Sequence, residues 1–173
     1  MSVDSTPSRE AENIVLIGMP GAGKSTLGVL LAKTLGLDFV DTDILIQRRA
    51  GTTLATYMQA QGYLALRNLE ALVIRELDVR KTVIATGGSA VYSAEAMAHL
   101  GRSGVIVYLH CPMQALAPRI ANLAQRGIAA PADQSLEEIE AERVPLYERF
   151  ADITLDLQGL DSRHALEALI QVI

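Results

Sequence analysis

Apolar and polar positions follow two rhythms along this 173-residue chain. Short unbroken apolar runs, Ile14-Val15-Leu16-Ile17, Thr82-Val83-Ile84-Ala85-Thr86 and Val105-Ile106-Val107-Tyr108-Leu109, have the length and β-branched content of strands buried on both faces. Leu37-Asp38-Phe39-Val40 and Ile153-Thr154-Leu155-Asp156 add two shorter strands. Between them the pattern turns helical: from near Lys24 through Leu27–Leu35, closed by Gly36; from Ser93, as cap, to Leu100; from Met113, after Pro112, to Leu123; from the capping box Ser135/Glu138 to about Phe150; and from Ser162 to Ile173. Alternating strands and helices predict one α/β domain built on a five-stranded parallel sheet with helices on both faces.

Residues 44–77 read as helix broken at Gly51 and Gly62, with Thr52 or Thr53 as an N-cap. Three helical pieces exceed what a strand-to-strand crossover needs, and such an insertion usually covers something. The small-residue segment from Arg126 to Asp133 has no periodicity and reads as a mobile loop.

The stretch Gly18-Met19-Pro20-Gly21-Ala22-Gly23-Lys24-Ser25-Thr26 sits between the first strand and the first helix, the setting that gives G-x-x-x-x-G-K-[ST] a mechanism. Gly18, Gly21 and Gly23 let successive backbone N–H groups turn inward around phosphate oxygens, and the helix start adds unpaired donors and a positive dipole end. Lys24 is expected on the outer phosphates of a bound nucleotide and the Ser25 hydroxyl on Mg2+, the expected cofactor.

Two groups of candidates lie at strand ends, where open α/β sheets bind ligands. Asp41 and Asp43 follow the second strand, and Asp is equally at home as a helix cap there. Gly87-Gly88-Ser89 follows the third and allows close approach to the backbone. Arg67 and Glu70, three apart on a helix, could form only an exposed pair of small energetic value. Arg126 and Arg143 could be solvated surface charges. His110, His164 and Cys111 lack metal-ligand spacing.

Composition narrows the class. Half the residues are hydrophobic, and a net charge of -5 argues against nonspecific nucleic-acid binding. Cys111 is the only cysteine, so no internal disulfide forms and a reducing compartment is expected. No apolar run is long enough to span a bilayer, and the polar residues 1–12 read as a flexible tail of a cytoplasmic protein.

Taken in order, the phosphate loop, Asp41-Thr42-Asp43, Gly51, Gly62, Arg67-Asn68-Leu69-Glu70, Ala85-Thr86-Gly87-Gly88 and Arg143-Val144-Pro145-Leu146-Tyr147 with Ala151-Asp152 resemble the shikimate kinases over Asn13 to Ile173. The resemblance implies a three-layer α/β/α P-loop kinase fold of the nucleoside-monophosphate-kinase type with strand order 2-3-1-4-5. It also implies a single domain at 13–173, a substrate-binding helical insertion at about 44–78 and a lid at about 122–134. It implies transfer of the γ-phosphoryl of Mg-ATP to the 3-hydroxyl of shikimate by a monomer.

By position, Asp43 would be the base, with Lys24 and Arg126 completing the catalytic set. ATP would meet Gly21, Ala22, Gly23, Lys24, Ser25, Thr26, Arg119 and Arg126. The acceptor would meet Asp43, Arg67, Gly87, Gly88, Ser89 and Arg143, and Mg2+ would be held by Ser25 and, through water, by Asp41. Three departures bear on the acceptor: Ser89 stands where the family usually has a third glycine, Met58 and Leu66 replace flanking phenylalanines, and the lid reads Arg126-Gly127-Ile128-Ala129. A paralogue acting on homoserine or gluconate, and an ATP-binding regulatory switch, are the alternatives.

Overall fold

A computed structural model describes residues 12–120 and 127–173. The elements run β1 (Asn13–Ile17), α1 (Lys24–Leu35), β2 (Asp38–Asp41), α2 (Thr42–Ala50), α3 (Leu54–Gln61), α4 (Tyr63–Arg75), β3 (Thr82–Ala85), a 3-10 turn (Ala90–Tyr92), α5 (Ala94–Ser103), β4 (Gly104–His110), α6 (Met113–Ile120), α7 (Leu136–Phe150), β5 (Ile153–Asp156) and α8 (Ser162–Val172). The five strands are all parallel in the order β2-β3-β1-β4-β5. This is the expected order, and it puts β1 at the centre, where every residue is buried.

Alternation along β1 shows why both faces carry helices. Ile14 and Leu16 join Leu27 and Leu31 of α1 and Leu169 of α8 in one core. Val15 and Ile17 join Ile74 of α4, Met97 of α5 and Tyr147 of α7 in the other. Neighbouring side chains of a strand point to opposite faces, so a continuous apolar run needs both layers. A third, smaller cluster of Ile46, Leu66, Val73 and Ala129 gives the helical insertion a core of its own.

Several boundaries move by a residue or two. The strand expected to end at Thr86 ends at Ala85, although the Thr86 N–H still donates to Leu16 O at 3.2 Å. The insertion breaks at both expected glycines, whose φ values of 68° and 86° fall in the left-handed region. Thr53, not Thr52, caps α3. The helix after Pro112 is described only as far as Ile120, and Asp152 of the motif clasps β4 by accepting the Ile106 N–H at 2.8 Å. Residues 1–11 of the expected tail, and residues 122–126 of the expected lid with Arg126, lie outside the described residues. Among the described residues, no helix is long and apolar enough to cross a membrane.

Candidate active site

The phosphate loop bends sharply against the neighbouring strand. Gly18 has φ 145°, and a Cβ there would lie 2.7 Å from the Leu109 carbonyl oxygen of β4, so only glycine fits. Lys24 opens α1, and its Nζ donates to Gly18 O and Met19 O, both at 2.8 Å. Burial lowers its pKa to about 8, with the Asp43 carboxylate pulling the other way. The ammonium thus fixes the loop from within while bordering the cavity.

Asp41 divides its oxygens. Oδ1 accepts the Asp43 N–H at 2.9 Å and so caps α2, while Oδ2 accepts from the Ser25 hydroxyl at 2.6 Å. Asp41 is therefore the cap, and Asp43 stands inside the first turn with its side chain on the cavity wall. Burial raises the Asp43 pKa to about 6, Asp41 adds to the rise, and Lys24 opposes it. The tips of β2 and β3 are tied together by the Gly87 N–H, which donates to the Thr42 hydroxyl at 3.1 Å.

The Gly87-Gly88-Ser89 turn is crowded by charged side chains and by Pro20 of the phosphate loop. A Cβ on Gly88 would lie 2.9 Å from an Arg143 Nη1 and 2.8 Å from Pro20 Cδ, and one on Gly87 would collide with Glu70 and Asp43. Arg143 is 1% exposed, and one turn on in α7 Tyr147 donates its hydroxyl to Gly88 O at 2.6 Å. Two arginines share one carbonyl: Arg67 Nε and Arg143 Nη2 donate to Ala129 O at 2.9 and 3.1 Å. Arg143 lines the cavity and Arg67 does not, and the Arg67 Nη2 is buried without a partner.

Glu70 corrects the reading of an exposed Arg67–Glu70 pair. It is 3% exposed, accepts from the Ser89 hydroxyl through Oε2, and leaves Oε1 unpartnered. Burial raises its pKa to about 7, against the pull of the Ser89 bond. Its signal was present in the sequence: Leu66, Glu70, Val73 and Ile74 form the buried stripe of α4, at spacings of four, three and one. Ser89 thus adds a hydrogen bond rather than simply filling the pocket. Of the two replaced phenylalanine positions, Leu66 lines the cavity, whereas Met58 packs at the margin of the insertion's core.

Two cavities meet at the phosphate loop and share Gly21, Gly23, Thr26 and Arg119. One, of about 370 Å³, lies toward Asp43, Gly88 and Arg143. The other, of about 570 Å³, runs past Ala22 and Cys111 to Leu157 and the Gly159–Ser162 segment, which sequence reasoning did not single out. Arg119, at the junction, donates to Gly21 O at 3.2 Å. A phosphate chain on the loop would therefore face one ligand on each side.

The Ser25 hydroxyl and Asp41 carboxylate are solvent-facing hard oxygen donors beside the phosphate loop, which fits Mg2+. Among the described residues no group of three His, Cys, Asp or Glu side chains could hold a metal. Mg2+ ordinarily keeps several waters and relies on substrate phosphates rather than a dedicated protein cage.

Catalysis needing an ionised Asp43 and a charged Lys24 should show a bell-shaped pH dependence of kcat/KM. The rate should fall as Asp43 takes up a proton below about pH 6 and as Lys24 loses one above about pH 8. Initial rates with both ATP and acceptor subsaturating check this. A flat profile between pH 5 and 7 would detach the rate from Asp43.

A family model described as shikimate kinase matches residues 20–173. A shikimate kinase from Methylococcus capsulatus is 38% identical over 165 residues, covering 94% of this chain and 92% of the relative. One from Pasteurella multocida is 40% identical over 150 residues, covering 84% and 86%. The structure of shikimate kinase from Acinetobacter baumannii in complex with shikimate superposes with a TM-score of 0.86 at 31% identity, over 95% of this chain and 93% of that one.

Proposed function

The chain belongs to the shikimate kinase family, and we propose from that premise how its own residues transfer the γ-phosphoryl of ATP to the 3-hydroxyl of shikimate. The observation that carries the reading is Arg143, which is almost fully buried beside Gly88 and forms no ion pair with a carboxylate among the described residues. A buried guanidinium with no carboxylate at ion-pairing distance is costly, and an anionic ligand in the cavity offsets that cost. A carboxylate matches its planar donors.

The phosphate tail of ATP lies on the loop amides, with the nucleoside in the cavity toward Leu157–Ser162. Shikimate lies opposite, its carboxylate on Arg143 with Arg67 behind, its hydroxyls toward the Gly87-Gly88 turn and Asp43. Asp43 accepts a hydrogen bond from the reacting hydroxyl, orients it and takes its proton as the new O–P bond forms. Lys24 leaves the loop carbonyls for the phosphates, where its charge offsets what accumulates on the transferring oxygens. Ser25 and Asp41 would hold Mg2+, which when bound supplies further neutralisation of phosphate charge. Arg119 belongs to the nucleotide side, Ser89 acts on the acceptor side through Glu70, and Arg126 completes the lid. Closure excludes water and limits wasteful hydrolysis. The protein acts as a cytoplasmic monomer of one domain, independent of nucleic acid and membrane.

Arg143→Ala should raise the KM for shikimate about 10- to 100-fold, the value of a lost charge-assisted hydrogen-bond pair, with the KM for ATP nearly unchanged. Steady-state kinetics with each substrate varied in turn checks this. A fall confined to ATP affinity would put Arg143 on the wrong ligand.

A further inference from the structure

The two arginines of the acceptor clamp repel one another, and they come from different helices, so the structure must hold them at a working separation. No carboxylate of the described residues forms an ion pair with either. One bridge is the Ala129 carbonyl oxygen, which accepts from both. The other is a side chain, Tyr92, in the 3-10 turn that follows Gly87-Gly88-Ser89.

The Cζ of Arg67 lies 3.6 Å from the centroid of the Tyr92 ring, and that of Arg143 lies 5.4 Å from it. Arg143 Nε also donates to the Tyr92 hydroxyl oxygen at 3.4 Å. Tyr63, on the same helix as Arg67, adds a second ring at 5.0 Å from that guanidinium. The chain has only five tyrosines and two phenylalanines, so placing two of them on one arginine uses a scarce residue type for a defined purpose. An aromatic face carries negative potential and attracts a guanidinium most strongly where water is excluded. It does so without occupying the in-plane N–H donors. A carboxylate in the same place would neutralise the charge and use those donors up. Consistent with this, Arg67 Nη2 remains buried and unpartnered beside the clamp.

We infer that Tyr92 is a positioning residue for acceptor binding, its ring bearing Arg67 and its hydroxyl bearing Arg143, so that Arg143 on the cavity wall and Arg67 beside it stay charged and fixed where one carboxylate is received. The inference rests on the assignment of Arg67 and Arg143 to the shikimate carboxylate. Tyr92 touches neither reacting atoms nor nucleotide in this arrangement, and its effect should therefore fall on acceptor affinity alone.

The test is steady-state kinetics on Tyr92→Leu, Tyr92→Phe, Arg67→Ala and the double variant Arg67→Ala/Tyr92→Leu. Tyr92→Leu should raise the KM for shikimate about 10-fold, with kcat and the KM for ATP each within about 2-fold. Tyr92→Phe keeps the ring and should raise it only about 2- to 3-fold. In the Arg67→Ala background, Tyr92→Leu should add only that smaller increment, because the partner of the ring is gone. A full tenfold increment in that background, an unchanged KM in Tyr92→Leu, or an equal loss of kcat or ATP affinity would overturn the inference. An unchanged shikimate KM in Arg67→Ala would instead overturn the assignment of Arg67 beneath it, and the inference with it. Should Tyr92→Leu not fold, a Tyr92→Phe enzyme with unaltered shikimate KM rejects the hydroxyl's part, and a Tyr92→Met enzyme whose shikimate KM is no higher than that of Tyr92→Phe rejects the ring's.

Discussion

Asp43→Asn is expected to lower kcat by about 10²- to 10⁴-fold, the range for loss of a positioned general base, while leaving ATP affinity within about 2-fold. Asparagine keeps the size and the cavity position but cannot take up the hydroxyl proton. The carboxylate it replaces is held by the first turn of α2, with its backbone N–H on Asp41 at 2.9 Å, so the helix start survives the change. Because the proposed ATP site is the loop amides on the other side of the phosphates, its affinity should not respond. Isothermal titration with ATP and initial rates with shikimate separate the two effects. Near-normal turnover in Asp43→Asn would exclude Asp43 as base or hydroxyl-orienting group.

Lys24→Ala should cost about 10²- to 10³-fold in kcat, comparable with losing a preorganised donor to developing oxygen charge, and should weaken ATP binding as well. The two effects share one cause. The ammonium is buried, bonded only to the Gly18 and Met19 carbonyls, and its pKa is lowered to about 8. The phosphates offer it a negative partner that burial has withheld, so part of the ATP binding energy is the repair of that deficit. ATP binding should therefore raise the lysine pKa, and at pH 8 it should be accompanied by proton uptake, readable as a buffer-dependent heat that disappears in Lys24→Ala. A wild-type heat that is the same in every buffer at pH 8 would show that Lys24 is already charged before ATP binds.

The sheet and the phosphate site were legible because their signals are local. Buried parallel strands demand continuous apolar runs, and the glycine pattern between β1 and α1 admits few other structures. Strand order was not local: it came with the family resemblance, and β2-β3-β1-β4-β5 bears it out. The acceptor side was less legible because its residues owe their roles to tertiary neighbours. Glu70 reads as a surface charge until its place in the Leu66–Ile74 stripe is noticed, and only the fold brings Ser89 to it. Asp41 and Asp43 are equivalent as helix caps in one dimension, and the choice between them is made by where the chain turns out of β2. Tyr92 lies in a 3-10 turn without periodicity, and its partners come from helices 25 and 51 residues away in the chain.

The most direct measurement is Mg-ATP-dependent ADP formation by the purified protein with shikimate, homoserine or gluconate offered singly. Turnover should depend on shikimate, with the other two close to the rate without acceptor, and the product should carry phosphate on the 3-hydroxyl. ADP release that ignores all three acceptors, or that responds to homoserine or gluconate in preference to shikimate, would contradict a site built to set a carboxylated ring opposite the phosphate loop.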